Sequence, residues 1–502
     1  MSRTADDAGR DRLAILEHRR WRLAAAVISG GLLAVSHSLH PVWWLAWIAP
    51  LFLLVAAARA PIWEAAALGA VAGGVLGASL FSYIASVGGP AAAAIYGALS
   101  AITWAVVILV TRVVAARLPA WLAAFVYPTT WAAMDTVLGA TSPHGTLGSL
   151  AYSQMDALPV IQVAAFAGMA GVVFLICLPA AAAALALDPR RSGKLAYAPA
   201  FVLAVAIVAG GLIRLSIPLQ TVPVKVGLVS IDQPDSKPLD ATHEDPIWDA
   251  YFAGADRASA QGARVIVFTE AIALADSTRQ GLLATRLSDA ARRHAAYILA
   301  GVATQEGKLT RNRAWVFGPD GQQVASYAKH HLVPGFEASL VTPWNGYSTF
   351  QMDNKSIGVA ICKDLDFPPL ARRYGQLGVD ALLIPAGDYD TDGWSHSRPA
   401  VLRGVENGFS IIRAAAHGRV TVADPYGRIL AEAESRPAPG TVLVATANIG
   451  KPIPTLYVKI GDLFGRLCIG AIALALLASL TVRRRLPAAP AAGPSSSAPA
   501  KG

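Results

Sequence analysis

The chain has 502 residues, 54% of them hydrophobic and 15% charged, with a mean hydropathy of +0.46, whereas a soluble domain carries roughly 25% charged residues. These figures exclude a disordered chain and an ordinary soluble enzyme. Many of the basic residues behind the formal net charge of +9 sit in short clusters beside apolar runs, which is a membrane-topology signal and not a nucleic-acid footprint.

A helix crossing a hydrocarbon core about 30 Å thick needs roughly 20 mostly apolar residues. In chain order such runs are predicted at 22–38, 42–58, 62–86, 91–116, 120–138, 160–187, 196–217 and 462–481. Loops rich in Lys and Arg stay cytoplasmic. Arg10, Arg12, Arg19, Arg20 and Arg22, then Arg59, Arg112 with Arg117, Arg190 with Arg191, and Arg483 to Arg485 all fall on one side, while the loops 36–41, 86–90 and 139–156 carry neither residue. The predicted organisation is a cytoplasmic segment 1–21, a seven-helix membrane domain 22–218, an extracytoplasmic domain 219–460, a last membrane helix 461–482 and a disordered cytoplasmic tail 483–502. Because the first run is followed by further spans, it does not read as a cleaved signal.

Within 219–460, short stretches rich in β-branched and aromatic residues predict strands at 222–229, 264–268, 297–302, 314–317, 356–361, 381–384 and 410–413. Helical stretches are predicted at 248–261, 277–294, 367–377 and 395–406. This alternation predicts an α/β domain of layered sheets and helices.

Of three cysteines, Cys177 and Cys468 lie in apolar runs, which leaves Cys362 as the thiol available to water chemistry. It follows a strand and precedes a turn into a helix, a place that favours a thiolate nucleophile; a buried structural thiol fits the same pattern. Glu270 ends another strand, where it is either a base or a solvated carboxylate. Lys329 lies in a basic loop that can offer a fixed ammonium to an oxyanion, and Glu337 can orient it. The adjacent His330 and His331 lack a partner at metal-ligand spacing such as H-E-x-x-H, so no metal is expected.

A Glu at a strand end, the segment Lys329-His330-His331-Leu332-Val333-Pro334 with Glu337 eight positions after the lysine, and a Cys after the strand Gly358-Val359-Ala360-Ile361 resemble the nitrilase superfamily of Glu-Lys-Cys carbon–nitrogen hydrolases. Seven helices before such a domain and one after it resemble its membrane-embedded branch, the apolipoprotein N-acyltransferases. Weaker matches with the right order and spacing are Leu150 to Gln154, Arg403 to Asn407, Arg413 to Ala415, Asp424 to Arg428 and Pro454 to Asp462. The resemblance implies an α-β-β-α sandwich with Cys362 as nucleophile, Glu270 as general base, Lys329 as stabiliser of the tetrahedral intermediate, and Glu337 and Asp364 in support. It further implies a phospholipid acyl donor, a diacylated apolipoprotein acceptor, no cofactor, and a bacterial inner-membrane location with a periplasmic catalytic domain. Three departures stand out: Thr269 where the family has Pro before the base, Gly335-Phe336-Glu337 where it has Phe-Gly-Glu, and Lys363-Asp364 where it has an aromatic and then Glu. Lys363, a charge where a ring would help to shape the pocket, and the apolar loop residues Phe336 and Trp344, which can dip toward lipid, are expected to meet substrate. A membrane-tethered amidase and a catalytically inactive relative remain as alternatives.

Overall fold

The computed structural model describes residues 18–188, 194–232, 244–307 and 309–481. The basic residues before position 18, Arg190 with Arg191, and the expected tail 483–502 lie outside the described residues.

Lipid offers no partner for backbone N–H and C=O groups, so apolar runs satisfy them internally as helices. The first seven are α1 (Arg19–Ser36), α2 (Ala49–Arg59), α3 (Ile62–Ser79), α4 (Phe81–Ala115), α5 (Ala120–Thr141), α6 (Ala164–Ala186) and α7 (Ala198–Ser216). Among the described residues α3, α4, α6 and α7 are long and apolar enough to cross a membrane, and the stretch Trp43–Arg59 that includes α2 is a shorter apolar one. The run expected at 62–86 is instead divided at Leu80, and α4 bends again at Gly89, φ 85°, ahead of Pro90. Proline disfavours helical geometry at the preceding residue, and glycine takes a positive φ at little cost. Helix α6 is central: 72% of its apolar window is buried, against 22% for α4 and for α7, which therefore present most of their surface outward.

The polar half is built on two sheets. The first has the order β13–β1–β2–β4–β5–β6, with β3 beside β4, and the second β12–β11–β10–β9–β8–β7. The strands of the first half are β1 (Val222–Ser230), β2 (Val265–Val267), β3 (Leu274–Ala275), β4 (Tyr297–Glu306), β5 (Leu309–Phe317) and β6 (Gln323–Ala328). They are followed by β7 (Ser348–Met352), β8 (Lys355–Val359), β9 (Ala381–Gly387), β10 (Ser410–Ala416), β11 (Arg419–Ala423), β12 (Ile429–Glu434) and β13 (Thr441–Ile449). Parallel pairing joins β1, β2 and β4 in one sheet and β8, β9 and β10 in the other. The sheets face each other across Val226, Val267, Leu299, Val359, Leu383 and Ile412.

Helices α8 (Glu244–Ala260) and α9 (Ser277–His294) cover the first sheet, burying Trp248, Tyr251, Leu283 and Leu287. Asp276 caps α9 by accepting from the N–H groups of Thr278 and Arg279 at 3.0 and 2.9 Å, a contact worth about 1 kcal/mol. Helices α10 (Pro368–Gln376) and α11 (Gly393–Asn407) cover the second sheet, completing an α-β-β-α sandwich, and α12 (Leu463–Thr481), apolar over Leu463–Ser479, returns to the bundle.

The outer layer of the second sheet does not end in solvent. Leu370, Leu402 and Val405 share one hydrophobic core with Ala151, Met155 and Ile176 of the bundle. Above that seam the loop after α5 grips the α/β domain: the N–H and hydroxyl of Thr146 both donate to the Asp366 carbonyl, at 2.9 and 2.7 Å. Gly145 makes this approach possible, since at its φ of 58° a Cβ would stand 2.5 Å from that carbonyl oxygen. Gly145→Ala is therefore expected to cost about 1–3 kcal/mol and to lower the thermal unfolding midpoint of the full-length protein in detergent. An unchanged midpoint would mean that the loop does not grip the domain.

Candidate active site

Each candidate group stands just past the C-terminal end of a strand, where open α/β sheets commonly place ligands. Glu270 follows β2, Lys329 follows β6, Cys362 follows β8, and Gly387 closes β9. The first two belong to one sheet and the last two to the other, so the site straddles the sandwich.

The Lys329 side chain, 1% exposed, donates to Glu270 Oε1 at 2.6 Å and to Glu337 Oε2 at 2.8 Å. Asn312, on β5, donates through one Nδ2 to the same two carboxylates, at 2.7 and 2.9 Å. The second oxygen of Glu270 accepts the Gly387 N–H at 3.0 Å, while the Gly387 carbonyl lies 3.4 Å from the Cys362 thiol that donates to it. Glu270 and Cys362 are thus fastened to the N–H and to the carbonyl of the same glycine residue. Behind them Asp388 and Arg413 form a buried two-contact ion pair, 2.9 Å at Nη1.

Burial pushes Glu270 above the usual carboxylate range and Glu337 adds to this, while Lys329 opposes it. For Lys329, burial alone would lower the pKa; Glu270, Cys362 and Glu337 outweigh it and hold the ammonium well above its ordinary value. Withdrawal from water pushes the Cys362 thiol well up, Glu270 raises it further, and Lys329 pulls it back. A thiol withdrawn from water thus stands near a carboxyl group that is ion-paired with Lys329, which is an arrangement for base-assisted nucleophilic attack.

Cys362 has a φ of 43°, a conformation that costs a non-glycine residue about 1–3 kcal/mol. It opens a short 3-10 turn, Cys362–Asp366. Asp364 holds this turn from inside: it accepts from the N–H groups of Ile361, His330 and His331 at 3.1, 3.2 and 2.9 Å and from the Tyr327 hydroxyl at 2.7 Å. Fully buried, it ties the nucleophile's turn to the segment that carries Lys329. His331 stacks on Phe367 at 3.7 Å and points Nδ1 at Asp364, so the His pair serves this brace.

The three residues expected to meet substrate are placed differently. Phe336 is 50% exposed. Trp344 packs edge-on against Tyr327 at 5.7 Å. Lys363 is buried, with Nζ 3.7 Å from Asp366 and 3.5 Å from His144 Nδ1 in the bundle loop after α5. Sequence reasoning missed Asn312, Gly387 and Asp388 and gave Arg413 no role. For Asn312 a signal existed: it occupies an inward position of the alternation Asn312, Ala314, Val316 on β5, and an inward amide on a strand requires partners.

Comparison with known proteins follows the same division of the chain. Residues 225–450 match the family model for carbon-nitrogen hydrolase, and residues 29–182 match that for the apolipoprotein N-acyltransferase N-terminal domain. The chain is 26% identical over 509 aligned residues to the apolipoprotein N-acyltransferase of Geobacter metallireducens, covering 92% of this chain and 95% of that protein. It is 32% identical over 203 residues to the omega-amidase NIT2 of Homo sapiens, covering 36% of this chain and 73% of that protein. Among solved structures, an amidase from Nesterenkonia sp. aligns with a TM-score of 0.42 and 19% identity over 50% of this chain and 98% of that one.

The electrostatics give a prediction with opposite signs in two assays. Glu270→Gln removes the charge that raises the Cys362 thiol, so the pH midpoint for alkylation of Cys362 by iodoacetamide should move to lower pH while turnover falls by at least about a hundredfold. An unmoved midpoint would show that Glu270 does not act on the thiol.

Proposed function

Because the chain belongs to the carbon–nitrogen hydrolase superfamily and, within it, to the apolipoprotein N-acyltransferases, we propose that it moves an acyl chain from a phospholipid to the N-terminal amine of a diacylglyceryl-cysteine in apolipoproteins. The observation that carries transfer over hydrolysis is the extent of likeness. It runs through the bundle to 92% of the chain for the N-acyltransferase, and stops at 36% for the omega-amidase.

In the proposed chemistry Glu270 takes the Cys362 proton and the thiolate attacks the ester carbonyl carbon of the donor. Lys329 faces the oxyanion that develops there, and Glu337 with Asn312 keeps its ammonium in place. Collapse of the tetrahedral species breaks the carbon–oxygen bond; the departing lysophospholipid oxygen receives the proton held by Glu270, leaving a thioester on Cys362. The acceptor amine then attacks the thioester, Glu270 removes its proton, and the Cys362 sulfur leaves and is reprotonated. Asp364 supports the nucleophile's turn, Phe336 offers an apolar contact for acyl chains, and Trp344 and Lys363 shape the walls behind it. These steps use side chains alone.

The reading includes a topology. Eight spans, with the basic loops on one side, put both termini in the cytoplasm and residues 219–460 on the periplasmic face of a bacterial inner membrane. Both substrates then approach from the outer leaflet.

The test is the mass of a synthetic diacylated lipopeptide incubated with phospholipid and the purified full-length protein, with Cys362→Ala in parallel. A gain of one acyl chain on the N-terminal amine with wild type only is expected. A folded preparation that gives no gain but hydrolyses small amides would replace transfer with amidase activity.

A further inference from the structure

Asp392 stands at the N-cap of α11, a position where aspartate ordinarily accepts from the helix's own first N–H groups. Here its side chain makes no such bond. Fully buried, the carboxylate accepts instead from the Tyr389 N–H at 3.1 Å, pairs with His396 Nδ1 at 2.8 Å, and takes a hydrogen bond from the Tyr83 hydroxyl. Tyr83 belongs to the bundle, in the piece of α4 between the break at Leu80 and the bend at Gly89. The contact thus joins a helix of the membrane half to a loop of the α/β half, across 309 residues of sequence.

That loop, residues 387–392, begins with Gly387, whose N–H holds Glu270 and whose carbonyl receives the Cys362 thiol. Four residues separate Gly387 from Asp392, which bears the anchored carboxylate. Burial alone would raise the pKa of Asp392, yet the ion pair with His396, together with the bonds from Tyr83 and Tyr389, holds it below the usual carboxylate value. The anchor is therefore charged while the enzyme works, and charge-assisted hydrogen bonds are the stronger kind.

We propose that Tyr83 is a positioning residue for catalysis: through Asp392 it fixes the loop whose Gly387 sets base and nucleophile against each other. The proposal rests on the roles assigned to Glu270 and Cys362, and it gives the bundle a part in the chemistry beyond holding lipid. Tyr83 is not a catalytic residue, since the described contacts place it on Asp392 and not on either reacting group.

The experiment uses the full-length protein in detergent. Tyr83→Phe removes only the hydroxyl, and misplacement of reacting groups by a fraction of an ångström costs about tenfold to a hundredfold in rate. The expected result is a kcat lowered by about tenfold or more, a KM for the diacylated lipopeptide within about twofold of wild type, and an unchanged melting midpoint. Asp392→Asn should lose as much, and the double variant should fall no further than the worse single one. A wild-type kcat for Tyr83→Phe would overturn the proposal. So would losses that multiply in the double variant, or a kcat loss that tracks a lowered melting midpoint. Should wild type itself transfer no acyl chain, the proposed function fails, and positioning is then read from the alkylation of Cys362 by iodoacetamide. A pH midpoint moved by about half a unit or more in Tyr83→Phe supports the contact, and superimposable curves overturn it.

Discussion

The site depends on one buried cation shared by two buried anions. Lys329 lies between Glu270 and Glu337 almost out of reach of water, and breaking a buried ion pair by removing one partner costs about 3–5 kcal/mol. Asn312 crosses between the same carboxylates and blocks either from turning away. All four come from the first sheet or from the segment that leaves it at β6. The nucleophile comes from the second sheet, so the distance between base and thiol is set by how closely the two sheets pack. Two backbone contacts staple that spacing at the site, the Gly387 N–H to Glu270 at 3.0 Å and the Glu270 N–H to the Ala386 carbonyl at 3.3 Å. The aliphatic layer between the sheets is thus part of the catalytic geometry, although it touches no reacting group.

Cys362, the proposed nucleophile, is held against its own backbone preference. A positive φ at Cys362 is tolerated because Asp364 satisfies four donors around it, and hydrogen bonds to a charged group contribute about 1.5–3 kcal/mol each. This is more than the strain costs. It also explains why an acid one methylene shorter than the Glu of the resembled family serves here: the carboxylate works as an internal brace, reached by short local segments, and does not extend to the thiol. Lys363 is drawn into the same structural task through Asp366 and the bundle loop at His144. The charge expected from the sequence to meet substrate is also, in the fold, a buried link between the two halves of the chain.

Much of this architecture was legible in the residues. The strands that carry Glu270 and Cys362, and the helices at 277–294 and 393–407, announce themselves through aliphatic runs and through amphipathic spacing. Glu270, Lys329, Cys362 and Glu337 are brought together from four places in the sequence, and their juxtaposition was expected only because their order and spacing resemble a known family. Less legible were β6, β7 and β11 to β13: β7 alternates but spans only five residues, and β12 and β13 are half-exposed along most of their length. The bend at Gly89 falls in the loop expected at 86–90, whereas the break at Leu80 lies hidden inside the run 62–86, since hydropathy averages over the few residues that turn the chain. Gly387 and the partnership of Tyr83 with Asp392 could not be read at all. Both depend on which loops meet in space, and one hydroxyl in an apolar helix carries no local signature of a partner 309 residues away.

The triad chemistry is neutral between transfer and hydrolysis, because a thioester yields to whichever nucleophile reaches it. What differs between the two fates is the surface around the sulfur. On one side the turn that begins at Cys362 runs into a core shared with the bundle, where Leu365, Leu370 and Tyr152 lie buried in one cluster. On another, the loop that carries Glu337 leaves Phe336 50% and Leu340 68% exposed, an apolar edge that a soluble enzyme would cover. A site walled by a membrane bundle and edged with bare aromatic and aliphatic side chains favours substrates that bring their own hydrocarbon. For the proposed acceptor, such an edge would raise the local concentration of an acylated amine relative to that of a small soluble nucleophile. Selectivity for transfer is then a property of the seam between bundle and sandwich, and the Glu-Lys-Cys set can remain that of a hydrolase.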